Sequence, residues 1–195
     1  MKIKKINTQI NFGKIAVATC NVKEKTTKKE TPATIYRMDP LNENDVREIR
    51  YSKNTHCLKY GIDLEIANAP YNRGREFYLL KADKNGEVIA CVQTIHKYRN
   101  NDVPHPGLST ILEEANENTK FQNGALPLIG YLAQRAVDRY DNSIISILGT
   151  EEPAIIQKKL KFKETETEGV YALSKRRFLN FINKAKQENQ LEIIV

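Results

Sequence analysis

The stretch REFYLLKADKNGEVIACVQTIHKY, residues 75 to 98, sets the first constraint on the fold. Two runs rich in aliphatic and aromatic residues flank DKNG, whose Asn85-Gly86 pair suits a tight turn with positive φ. This is the clearest hairpin in the chain, so the fold must include an antiparallel pair. Upstream, ATIYRM (33–38) has the length and composition of a strand. DPLNENDVREIRYSK follows as a helix, with Asp39 as N-cap, Pro40 at the first helical position and an apolar stripe of Leu41, Val46 and Ile49. HCLKYGIDLEIANAP reads as a second helix ended by Pro70.

Downstream, VPHPG (103–107) reads as loop and LSTILEEA as a further strand. In NGALPLIGYLAQRAVDRYDN, Leu128, Leu132, Ala136 and Tyr140 recur at helical spacing, with Ile129 and Ala133 beside them. Asn123 caps this helix and Pro127 falls in its first turns. SIISIL reads as a buried strand. PAIIQKKLKFKE is a short helix running into a strand, and KFKETETE pairs with GVYALSK across Gly169. RRFLNFINKAKQ closes the chain as a helix burying Phe178, Leu179, Phe181 and Ile182. Strand, two helices, three strands, helix, strand, helix and two strands imply an α/β or α+β fold: one mixed sheet with helices on its faces.

At 195 residues this is one domain. Of the net charge of +7, residues 1–32 hold +6, from eight lysines against two glutamates. Those residues read as a basic, largely flexible segment, in which KIAVATC can dock as a strand and NVKEKTTKKETPA is a linker. The domain proper spans 33–190, and 191–195 is a tail. Because the basic character belongs to the leader, nucleic acid is not the expected partner. No apolar run reaches membrane-spanning length, so no membrane is expected and the location is read as cytoplasmic. Cys20, Cys57 and Cys91 are too scattered for a disulfide framework, and Cys91 reads as a small core residue. His56, His96 and His105 match no metal spacing, and no nucleophile elbow, P-loop or dinucleotide fingerprint occurs.

Three segments resemble the GNAT superfamily of acyl-CoA-dependent N-acetyltransferases: FYLLKADKNGEVIACVQT, YLAQRAVDRYDNSIISIL and PAIIQKKLKF. The resemblance covers about Thr34 to Lys175 and implies a GNAT-like single mixed sheet with acetyl-CoA as cosubstrate. It places the family's pyrophosphate loop on Lys120, Phe121, Gln122, Asn123, Gly124 and Ala125. There, backbone N–H groups and the helix dipole favour an anion, and glycine lets it approach. Lys120 stands where the family has Gln or Arg, and Asn123 where it has the first Gly. The family's tyrosine acid falls on Gln157, its glycine on Lys161 and its loop asparagine on Thr150. Glu113 or Glu114, alternating on a strand, is the candidate base through water, and Tyr171 the candidate proton donor to the leaving thiolate. The leading reading is an N-acetyltransferase acting on a primary amine of a small molecule or protein. The other is a non-catalytic binding module of the same fold, and a third is a nucleic-acid or membrane binder using the basic arm. The acceptor and the oligomeric state are left open.

Overall fold

The computed structural model describes residues 13–39, 41–52, 75–98, 104–111, 120–122, 124–139, 145–148, 161–164, 170–173 and 175–194. Among these, ten strands form one sheet. They are β1 (Ile15–Glu24), β2 (Glu30–Met38), β3 (Arg75–Ala82), β4 (Val88–Tyr98), β5 (Pro104–Ile111), β6 (Phe121–Gln122), β7 (Ile145–Leu148), β8 (Lys163–Glu164), β9 (Val170–Leu173) and β10 (Glu192–Ile193). Their order is β10-β1-β2-β3-β4-β5-β7-β9-β8, with β6 also pairing β1. Three helices accompany them: α1 (Glu43–Ser52), α2 (Ala125–Arg139) and α3 (Lys175–Asn189).

Alternation along the strands divides the core between two faces. Tyr78, Leu80 and Ala82 of β3 join Ala18, Cys20 and Val22 of β1 beneath α2 and α3. Phe77 and Leu79 turn the other way, with Met38, Cys91 and Ile49 of α1. Helices on both faces of a mixed sheet match the sequence expectation, as does Cys91 in the core.

The N-terminal segment corrects one expectation. Residues 15–24, expected within a largely flexible leader, form β1, antiparallel to β2 from Ile15↔Arg37 to Lys23↔Glu30. The KIAVATC stretch docks because Ala18, Cys20 and Val22 alternate onto the core face and are buried. Glu48 of α1 clamps the start of this strand. It accepts from Lys14 at 2.7 Å and from Lys81 of β3, while the Lys14 ammonium lies 5.4 Å from the centre of the Tyr36 ring. Burial works against the Glu48 charge, but bonds and charges from Lys14 and Lys81 outweigh it and hold the carboxyl below its usual range.

The C-terminal residues correct another. Leu191 is buried and β10 pairs with β1 at Ala18↔Ile193 and Thr19↔Glu192, so 191–194 is part of the sheet and not a tail. Ile194 N–H also donates to Val17 O at 3.0 Å, and Asn189 Nδ2 donates to Asn21 O at 2.8 Å. With β6 against Lys23 and Glu24, the outer edge of β1 is covered along most of its length, which removes a template for edge pairing.

Smaller differences have local causes. α1 starts at Glu43, and its cap is Asn42 rather than Asp39: Asn42 Oδ1 accepts from the N–H groups of Asn44 and Asp45. Leu41 lies before the helix and is exposed. β5 begins at Pro104, inside the stretch read as loop. Among the described residues its β7 partner pairs with Gly107 and Leu108 and none pairs with 104–106 on that side, where a proline's missing N–H is tolerated. In α3, Phe178, Phe181, Ile182 and Ala185 are buried, but Leu179 is 49% exposed because it falls off that stripe. α2 crosses α3 at Gly130, where an added Cβ would lie 2.4 Å from that of Ala185. The expected helices at 56–70 and 153–160 lie outside the described residues.

Candidate functional site

β5 and β7 are the one parallel pair among the described strands, joined only at Gly107↔Ser146 and Leu108↔Ile147. β5 continues against β4 to Ile111, and β7 against β9 to Leu148. Among the described residues Gly107↔Ser146 and Leu108↔Ile147 are the β5–β7 ladder, and β7 is described as far as Leu148. The β3–β4 turn, the β1–β2 turn and the N-terminus of α2 lie at the same end of the sheet.

The segment 120–125 enters α2 there. Lys120 is 71% exposed and pairs with Glu87 of the β3–β4 turn at 3.5 Å. Its carbonyl accepts the Lys25 N–H at 2.6 Å. Phe121 is buried and anchors the segment in the core, and β6 pairs with Glu24 and Lys23. Gln122 Oε1 accepts from Lys28 Nζ at 3.1 Å. Gly124 has no room for a side chain, since a Cβ would meet Ile89 Cγ2 at 2.7 Å. Packing against β4 therefore requires glycine here, with no appeal to a ligand. α2 carries no acidic residue in its first turn, whereas α1 carries Glu43 and Asp45. The positive end of the α2 dipole thus faces no carboxylate of its own helix.

Beside β6 lies a cavity of ≈140 Å³ lined by Lys23, Gln122, Glu188 and Asn189. Asn189 is buried and its Oδ1 has no hydrogen-bond partner among the described residues. The opposite part of α2 is fixed by Arg135, which meets Glu76 of β3 at 2.5 and 2.6 Å and lies 5.6 Å from the Tyr78 ring centre. Tyr78 donates its hydroxyl to Glu76 at 2.9 Å. The Cys20 thiol is pushed up to about 12 by burial and then by the charge of Asp83, which makes it a poor nucleophile at neutral pH.

Of the residues nominated from sequence, Lys120, Phe121, Gln122 and Gly124 form a continuous path into α2, which Ala125 opens. Tyr171 lies on β9 opposite Ile147 of β7, the strand that pairs with β5. Glu113, Glu114, Asn123, Thr150 and Gln157 lie outside the described residues. Lys161, at the family's glycine position, keeps a glycine-like backbone with φ 60°, and the Arg177 guanidinium donates to its carbonyl. Phe162 beside it is buried against Phe181. Sequence reasoning missed that the β1–β2 turn abuts the loop. Its KTTK core reads as linker, and only the β1–β6 pairing brings it there.

No family model matches the chain, and no curated protein matches it. Among solved structures, the chain is similar to apo FdhC, described as a nucleotide-linked sugar GNAT, with 13% identity and a TM-score of 0.53 over 86% of this chain and 96% of that one. It is also similar to AtaTR bound with AcCoA, with 12% identity and a TM-score of 0.48 over 76% of this chain and 96% of that one. The chain has the GNAT fold. Among the described residues, no helix is long and apolar enough to cross a membrane.

Proposed function

We propose that the protein is a cytoplasmic N-acetyltransferase that moves an acetyl group from acetyl-CoA to a primary amine. The observation that carries this reading is the start of α2 in a chain of GNAT fold: a first turn without acidic residues, entered through the exposed Lys120. A long phosphorylated thioester suits that layout. Its pyrophosphate would meet the N–H groups of the first turn of α2, where the dipole favours an anion and the helix supplies no acid. Lys120 adds an exposed cation, and its partner among the described residues, Glu87, is one it can exchange for phosphate.

The reaction is direct attack of the amine nitrogen on the thioester carbonyl. The C–N bond forms, the C–S bond breaks and the thiolate takes up a proton. Glu113 or Glu114 accepts the amine proton through water, and Tyr171 supplies the proton to sulfur in place of the acid that Gln157 cannot provide. That same Gln157 favours the second reading, a non-catalytic module of this fold that binds without transferring.

Calorimetric titration with acetyl-CoA tests both. Saturable heat together with a rise in Tm supports the donor site, and Asn123→Arg should abolish it. No heat and no stabilisation would end the enzyme reading. Binding without acetyl transfer to any amine of a broad panel would leave the module.

A further inference from the structure

We infer that the β1–β2 turn is a phosphate-binding arm of the donor site, with Lys25 and Lys28 set to hold the phosphate monoester that coenzyme A carries on its ribose. The inference rests on reading 120–125 as the pyrophosphate loop. The turn lies directly on that loop: Lys25 N–H donates to Lys120 O at 2.6 Å, and Lys28 Nζ donates to Gln122 Oε1 at 3.1 Å. Gln122 is a neutral acceptor, so it fixes the ammonium beside the loop without cancelling its charge.

Two features make this more than a lysine-rich surface. At this end of the sheet residues 23–30, 83–87 and 120–122 hold six lysines (Lys23, Lys25, Lys28, Lys29, Lys84 and Lys120) against four carboxylates, of which Glu30 pairs with Lys23 and Glu87 with Lys120. Lys25 and Lys29 make no ion pair among the described residues, so positive charge is left over. A phosphate monoester bears about −1.5 to −2 at neutral pH and offers three acceptor oxygens. The second feature is backbone strain. Lys28 has φ 57° in a turn whose counterpart in β3–β4 uses Gly86 at φ 68°. Glycine would take that conformation at lower cost, and what lysine adds there is the ammonium that reaches Gln122.

Titration of the full chain with coenzyme A and with dephospho-coenzyme A tests this. The wild type should prefer coenzyme A by about tenfold, the value of one charge-assisted bond. Lys25→Gln with Lys28→Gly should erase the preference while leaving dephospho-coenzyme A binding unchanged, since glycine accepts the turn's φ. Lys163→Gln on β8, at the far edge of the sheet, should keep it. Equal affinity of the wild type for both forms, or a preference that survives in the double variant, overturns the inference alone. Failure of both forms to bind overturns the donor reading and this inference with it. Loss of single-stranded oligonucleotide retention in the double variant, with both coenzyme forms bound as in the wild type, would assign the turn to nucleic acid and overturn it as well.

Discussion

Two hairpin turns at one end of the sheet have the same backbone and different residues. In β3–β4, Ala82 N–H donates to Glu87 O and Gly86 N–H to Ala82 O, and Gly86 has φ 68°. In β1–β2, Glu24 N–H donates to Lys29 O and Lys28 N–H to Glu24 O, and Lys28 has φ 57°. Both turns span four residues with a left-handed fourth position. One fills that position with the residue that takes it without steric cost, the other with a lysine whose ammonium reaches Gln122. The first turn is built for stability. The second gives up some stability to place a charge beside the loop that enters α2.

The largest expected effect comes from breaking the loop that both turns contact. Gly124→Val forces a side chain onto Ile89 and should destabilise the protein by about 3 kcal/mol, read by denaturant unfolding. It should also weaken acetyl-CoA binding, because the start of α2 must shift. Next is the clamp shared by the two hairpins. Glu48→Gln leaves the ammonium of Lys81, which is largely buried, without its carboxylate, and should cost about 2 kcal/mol at neutral pH. Since the Glu48 carboxyl is held below its ordinary 4.5 in the folded state, its contribution is complete above that pH and is lost as pH falls through the lowered value. The gap in Tm between wild type and variant should therefore be wide at pH 7 and close in acid. A gap constant from pH 7 to pH 3 would remove ionisation of Glu48 from the account.

The two turns themselves give smaller effects of opposite sign. Gly86→Lys should cost about 1 kcal/mol, all of it in backbone strain, since the nearest atom to an added Cβ is the end of the Lys81 side chain at 3.9 Å. Lys28→Gly should stabilise by about 0.5 kcal/mol, the relief of strain being partly offset by the freer unfolded chain. Chemical denaturation curves measure both. If Lys28→Gly destabilises instead, the bond to Gln122 is structural, and the contrast between the turns loses its meaning.

Legibility in the sequence followed the range of the interactions. The β3–β4 hairpin was readable because Asn85-Gly86 carries its turn locally, and α2 because its apolar residues keep a period that one helix face requires. The β1–β2 hairpin was read as linker because Lys28 gives no local sign of a left-handed residue. The cap of α1 was placed on Asp39 because Asp39 and Asn42 are equally good caps by type. The actual choice depends on Asp45, whose carboxylate returns to the Asp39 N–H at 2.9 Å. In the candidate site, Lys120 to Ala125 were found from a resemblance. The nearness of Lys25, Lys28 and Asn189 depends on residues almost 100 or more positions away in some pairs, and no periodicity reports that.

The sequence by itself determined the class of the fold, one mixed sheet with helices on both faces, and marked the β3–β4 hairpin, α2 and the C-terminal helix as its parts. These follow from propensity, alternation and turn chemistry, which act over a few residues. Only the tertiary structure decided that the basic N-terminal stretch and the last four described residues belong to the sheet. β1 is held by β2, by β10 and by Glu48, partners between 7 and 175 positions away at the paired residues Glu30, Glu48 and Ile193. Burial of Ala18, Cys20 and Val22 is favourable only once those partners are in place. Two lysines that composition assigned to a loose leader, Lys25 and Lys28, are thereby held against the segment that enters α2.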